Sequence, residues 1–89
     1  MNDTRKSALE FPCRFPVKAI GRDTDEFEAI VTEIIRRHVP DLSDDAVTTR
    51  SSSGGKYLSV TATFIAESQE QLDAMYYELS SHEQVLMVL

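Results

Sequence analysis

The sequence predicts one α+β domain with two helices on one face of a four-stranded antiparallel sheet. Two stretches carry apolar residues at helical spacing, and four others carry the alternating or short apolar runs that are typical of strands. Their order along the chain is β-α-β-β-α-β. A chain of 89 residues, 42% hydrophobic and 27% charged, has the composition of a globular domain and the length for one modest core.

The first strand is predicted from Phe11, where apolar and polar residues begin to alternate, to Gly21, which is expected to end it. Pro12 and Pro16 cannot donate hydrogen bonds to a neighbouring strand. We therefore expect the paired part of this strand to begin near Phe15.

A first helix is predicted to follow. Asp23 and Glu26 have the spacing of a capping box, with Thr24 as the alternative N-cap. Pro40 bars continuation of the helix. One apolar stripe is formed by Phe27, Ile30, Val31 and Ile34.

A β-hairpin is predicted next. Residues 46–52 form a short polar strand, and residues 57–66 alternate more clearly than any other stretch of the chain. Gly54 and Gly55 lie between them and permit the positive φ angles of a tight turn.

A second helix is predicted from the capping pair Ser68 and Gln71, and residues 85–89 form a final apolar strand. The stripe of this helix contains Leu72, Met75, Tyr76 and Leu79.

This order favours the ferredoxin-like split βαβ sandwich, with the sheet order 4-1-3-2. Right-handed crossovers place both helices on one face and leave the other bare or covered by a partner. Residues 1–10 are polar and are predicted to form a flexible N-terminal arm, and residues 11–89 to form the domain.

Charge and composition restrict the partners. With 9 basic and 15 acidic residues and a net charge of -6, we expect neither a nucleic-acid nor a membrane partner. In so acidic a chain, the bare sheet face is expected to be too acidic and too poor in aromatic residues for RNA. The single cysteine and the lack of an apolar run of about 20 residues predict a cytoplasmic protein.

No pattern predicts catalysis or a cofactor. Cys13, His38 and His82 are isolated, so no metal site is expected. The stretch 51–56 lacks the glycine and the hydroxyl residue of a phosphate loop. The carboxylates that follow Gly21 are explained by a helix start. We therefore expect no enzymatic activity.

Two surfaces remain as candidate binding sites. Apolar residues at Ile20, Tyr57 and Ile65, with part of the last strand, are predicted to form a partner interface on the bare face. The second candidate is a ligand-binding loop before the first helix, where backbone N–H groups are available to an anion. Its residues are Gly21, Arg22 and Asp23.

The chain also resembles the YbeD-like family of small bacterial proteins, from about Leu9 to Leu89. The resemblance is carried by Leu9-Glu10-Phe11-Pro12, Phe15, Lys18, Gly21, His38, Pro40, Ser51, Ser52, Gly54, Tyr57, Ser59, Val60, Tyr76, Glu78, Leu79 and Met87-Val88-Leu89. It implies a ferredoxin-like fold similar to ACT regulatory domains, a bacterial cytosolic setting and no established catalytic residue.

Three hypotheses of function follow. The first is a non-catalytic regulatory or protein-interaction domain that binds a protein partner, or forms a homodimer, through the bare face or the edge strands. The alternative is an ACT-like sensor of an amino acid or other small-molecule effector near Gly21. The third is an enzyme of unknown activity.

Overall fold

The computed structural model describes residues 9–89. It contains four strands and two helices, which confirms the α+β class and the element order. The elements are β1 (Cys13–Arg22), α1 (Phe27–His38), a 3₁₀ turn (Asp44–Ala46), β2 (Val47–Ser51), β3 (Tyr57–Ala66), α2 (Gln69–Ser81) and β4 (Val85–Val88). Residues 1–8 of the predicted flexible arm lie outside the described residues.

The strands form one antiparallel sheet in the order β2-β3-β1-β4. Read from the β4 edge, the same succession of neighbours is 4-1-3-2. The two central strands, β1 and β3, pair over ten residues, from Cys13 opposite Ala66 to Arg22 opposite Tyr57. This pairing fixes which residues of both strands share a face, because residues that lie opposite each other point to the same side.

Both helices pack on one face of the sheet and bury its apolar side chains. Val17 and Ala19 of β1 and Val60 and Ala62 of β3 are completely buried there. The helices contribute the other half of this core. Their fully buried side chains are Phe27, Val31 and Ile35 from α1 and Met75 and Leu79 from α2.

The start of α1 differs from the prediction. The helix begins at Phe27 after Glu26, and no side chain caps it. Asp23 is engaged elsewhere: its N–H donates to the Lys56 carbonyl at 3.0 Å and its carboxylate accepts from the Ser51 hydroxyl at 3.0 Å. Asp23 therefore fastens the end of β1 to the β2–β3 hairpin and is not available as an N-cap.

The bounds of β1 also differ. The strand pairs from Cys13 and continues through Pro16, which lies opposite Thr63. It also runs through Gly21 to Arg22, so Gly21 lies within the strand and does not end it.

The predicted start of α2 is confirmed. The Ser68 hydroxyl accepts from the Gln71 N–H at 3.1 Å. The Gln71 side chain accepts from the N–H of Glu67 and donates to the carbonyl of His38 at 2.7 Å. Gln71 therefore joins the start of α2 to the end of α1.

Gly21 lies where β1, β4 and α1 meet most closely. A Cβ atom at this position would lie 2.4 Å from Cε1 of Phe27 and 2.5 Å from the carbonyl oxygen of Gln84. Because one of these neighbours is backbone and the other is a fully buried ring, neither can move aside easily.

The variant Gly21→Ala is accordingly expected to lose about 1–3 kcal/mol of unfolding free energy, the usual cost of overpacking. Gly54→Ala is the matched control, since its Cβ would meet no atom within 4 Å, and its change should stay within about 0.5 kcal/mol. Urea unfolding followed by circular dichroism measures both. Equal stability of the two variants would contradict the close packing at Gly21.

Candidate binding surface

The sheet face that the helices leave uncovered is here called the open face. Alternation along the strands and the observed register determine its members. They are Arg14, Pro16, Lys18, Ile20 and Arg22 from β1, Thr48 and Arg50 from β2, Tyr57, Ser59, Thr61, Thr63 and Ile65 from β3, and Met87 from β4.

The open face is basic. Four of its residues, Arg14, Lys18, Arg22 and Arg50, carry positive charge, and none of the four strands contains Asp or Glu. The expectation that this face is too acidic is therefore wrong. That expectation assumed that the negative net charge applies to every surface of the protein. The acidic residues of the described part lie instead in helices and connections.

The arginines of the helical layer are neutralised by neighbours. Arg36 contacts Asp44 at 2.9 Å, and Arg37 pairs with Glu78. His38 Nε2 also lies 2.8 Å from a Glu78 carboxylate oxygen.

The open-face cations differ in this respect. Among the carboxylates of residues 9–89, none lies within 4.0 Å of Lys18, Arg50 or another basic side chain of the open face. Positive charge is therefore available to a partner on this side of the molecule.

A shallow hollow of about 460 Å³ occupies the hairpin end of the open face. We call it the Lys18–Arg50 hollow; it is lined by Lys18, Ile20, Arg50, Ser51, Ser52, Ser53, Tyr57, Leu58 and Ser59. A second depression of about 430 Å³ adjoins it and shares Lys18, Arg50 and Ser59. An ammonium, a guanidinium and several hydroxyl groups are donors for a carboxylate or phosphate. Ile20 and Tyr57 offer apolar contact beside them.

The residues predicted for the partner interface do not all lie together. Ile20 and Tyr57 line the hollow, but Ile65 lies opposite Arg14 near the other end of β3. Ile65 is six positions from Ser59, which is about 20 Å along a strand.

Two of the three residues predicted for the ligand loop belong to strand β1. Gly21 is buried beneath Phe27, and Arg22 lies on the open face opposite Tyr57. Only Asp23 follows the strand, and its carboxylate accepts the Ser51 hydroxyl. The ring of Phe27 fills the space above Gly21 that a ligand loop would need.

Lys18 and Arg50 were not predicted as site residues. A signal for them exists in the sequence, because Arg14, Lys18 and Arg22 are separated by even numbers of residues and so share one face of a strand. Arg50 joins them only through the register of β2 with β3, which places it opposite Ser59.

Across residues 9–89, no group of three or more His, Cys, Asp and Glu side chains could hold a metal ion. Nor does this part of the chain contain a helix that is long and apolar enough to cross a membrane.

Comparison with known proteins places the chain among small bacterial proteins. It is 46% identical over 89 residues to a UPF0250 protein of Chromobacterium violaceum, with both chains covered completely. It is 46% identical to a UPF0250 protein of Neisseria gonorrhoeae, covering 98% of this chain and 96% of the relative. A UPF0250 protein of Nitrosomonas europaea is 41% identical, with 97% and 99% covered.

A solved structure supports the fold. The solution structure of protein HP0495 from H. pylori superposes with a TM-score of 0.71 at 14% identity, covering 100% of this chain and 93% of that protein. At that identity the similarity concerns the fold alone.

The family model described as protein of unknown function (DUF493) matches residues 6–89. Together with the UPF0250 relatives it confirms the resemblance to the YbeD-like proteins. The chain therefore belongs to the DUF493 family.

Proposed function

We propose that this chain is a non-catalytic regulatory domain that binds an acidic segment of another protein on the open face of its sheet. The observation that carries the proposal is the separation of charge. A chain of net charge -6 presents a sheet face with four cations and no carboxylate among its strand residues.

Charge also argues against a second copy on this face. Two open faces packed against each other would bring Lys18 and Arg50 of both copies together, which is unfavourable. The open face of one copy against the acidic helical layer of another would be a head-to-tail contact, which continues into open assemblies unless it closes into a ring. An acidic segment of a different protein satisfies the charge without either difficulty.

An acidic protein fits the surface better than a nucleic acid does. Proteins that bind single-stranded nucleic acids use several aromatic side chains on which the bases stack. Tyr57 is the one aromatic residue among the strand residues of the open face. Ile20 and Met87 add apolar area beside the cations, which suits a segment that alternates acidic and apolar residues.

We propose a non-catalytic role because the described residues lack buried polar side chains. Within residues 9–89 no polar or charged side chain is buried. General acids, bases and nucleophiles commonly depend on exclusion from water for their altered reactivity. The Lys18–Arg50 hollow is open and its cations are solvated, which is suited to binding.

A small effector is the second candidate function, as in an ACT-like sensor. The donor groups of the Lys18–Arg50 hollow favour it, because an ammonium, a guanidinium and nearby hydroxyl groups can bind a small carboxylate. This effector site differs from the ligand loop predicted at Gly21, because its hydrogen-bond donors are the side chains of Lys18 and Arg50.

A thermal-shift screen of amino acids and small carboxylates tests this candidate. A ligand at a hundred times its dissociation constant should stabilise the protein by about 2.7 kcal/mol. Arg50→Gln should remove the shift, while Arg14→Gln, at the other end of the face, should keep it. A shift that survives Arg50→Gln would place the ligand elsewhere.

Binding of an acidic segment is tested with a short fluorescein-labelled peptide of alternating Glu and Leu, measured by fluorescence anisotropy. The double variant Lys18→Gln/Arg50→Gln should weaken binding about fivefold, from about 0.5 kcal/mol for each exposed charge pair. Ala29→Glu/Ala74→Glu is the matched control: both residues are exposed on the helices, and the net charge changes by the same amount. The control should bind almost as the parent does.

Three results would contradict the acidic-partner proposal. They are no binding of the Glu–Leu peptide at low ionic strength, equal binding of a Gln–Leu peptide, and tighter binding of single-stranded RNA than of the acidic peptide. The last would assign the open face to nucleic acid.

The positive potential of the open face can be measured without any partner. Thr61 lies between Lys18 and Thr48 in one cross-strand row. Thr61→Glu should be more stable than Thr61→Lys by roughly 0.4–2 kcal/mol, because cross-strand pairs of opposite charge stabilise and like charges destabilise. Urea unfolding gives the difference, which should shrink in about 1 M salt. A more stable Thr61→Lys would show that the face is not basic.

A further inference from the structure

The β4 edge carries the densest apolar surface of the described chain. Six large hydrophobic side chains of residues 9–89 are exposed, and three of them lie in or directly after β4. These are Leu86, Met87 and Leu89, with exposed fractions of 56%, 52% and 59%. In a chain with 27% charged residues, such a run without charge is unusual for an exposed edge.

The groove between β4 and α2 extends this uncharged surface. It has a volume of about 280 Å³ and is lined by Tyr76, Ser80 and residues 85–88. The Tyr76 hydroxyl donates to the carbonyl of Leu89 at 3.2 Å, which ties α2 to the end of the sheet. Burial raises the pKa of Tyr76, so the phenol stays neutral at physiological pH.

The backbone of β4 has hydrogen-bonding groups directed to the open edge. Lys18 and Leu89 exchange two hydrogen bonds, of 3.2 and 2.8 Å. In an antiparallel ladder the next pair, Ala19 and Val88, makes none across the strands. The N–H and C=O of Val88 therefore point away from β1, where an added strand would meet them.

The other edge of the sheet lacks this character. β2 has the sequence Val-Thr-Thr-Arg-Ser, and its residues from Thr48 to Ser51 are exposed. Polar and charged side chains of this kind protect an edge strand from pairing. The two edges are therefore not equivalent.

We propose that β4 pairs antiparallel with β4 of a second copy, so that two sheets join into one of eight strands. A strand without charge can pair with itself around a two-fold axis without bringing like charges together. The outward N–H and C=O groups of each β4 then bond those of the other copy. No charged side chain lines the groove beside α2 either. Association through the open face, by contrast, would oppose Lys18 and Arg50.

This interface leaves the open faces of both copies exposed on one side of the joined sheet. It differs from the acidic-partner proposal in needing neither the Lys18 nor the Arg50 side chain, although Met87 belongs to both surfaces. Because it comprises one short strand and the adjoining helix, we expect it to bury less than the usual area of about 800 Å² on each partner. We therefore expect a dimer that dissociates on dilution in the micromolar range.

Sedimentation velocity from micromolar to millimolar protein tests the dimer, whose mass is twice 10.0 kDa. Leu86→Lys should stay monomeric at every concentration. Ile65→Lys is the matched control, because it makes the same exchange at an exposed apolar residue far from β4, and it should dimerise as the parent does.

Hydrogen exchange on the unaltered protein gives a second measurement, which does not depend on a variant folding. The Val88 amide should become protected as concentration rises, whereas the Leu89 amide, bonded to Lys18, should be protected throughout. A parent protein that is monomeric at millimolar concentration, a dimer that survives Leu86→Lys, or Val88 exchange that is independent of concentration would overturn the proposal.

Discussion

The pairing of β1 with β3 determines which side chains of the sheet reach the core and which reach solvent. Its register places Val17 and Ala19 under the helices and Lys18 on the opposite side. A slip by one residue would exchange the two faces, bringing Lys18 into the core and the small apolar residues into solvent. The cost of burying a charge therefore fixes the core and the basic face together.

Gly21 shows how closely this arrangement is packed. It lies in β1 beneath Phe27, where β1 pairs regularly with β3 on one side and irregularly with β4 on the other. The register of β1 with β4 shifts between Ile20 and Gly21, which leaves Leu86 as the extra residue of a bulge. A glycine that the sequence marks as a strand end or a ligand loop thus serves mainly to let α1 approach the sheet.

Much of the fold could be predicted because its signals are local. The strand Tyr57–Ala66 follows its own alternation, and the α2 cap depends on Ser68 and Gln71, three residues apart. The start of α1 could not be predicted in the same way. Asp23 has the right spacing for a cap, but distant groups, the Lys56 carbonyl and the Ser51 hydroxyl, engage it instead.

The candidate binding surface could be predicted only in part. Ile20 and Tyr57 were expected on the bare face and do line the Lys18–Arg50 hollow, whereas Ile65 lies at the far end. The sign of the charge on this face was missed. Net charge is a sum over the chain, whereas surface charge depends on which residues a register gathers, and Arg50 joins Lys18 only through β3.

The register of the sheet gathers positive charge on the open face, and we propose that this charge makes it the binding surface. Methyl NMR during titration with the Glu–Leu peptide tests it most directly, because methyl groups are present on both sides of the molecule. We expect shifts at Ile20, Thr48 and Thr61 and none at Ala29 and Ala74 of the helical layer. Shifts confined to the helical alanines would contradict it.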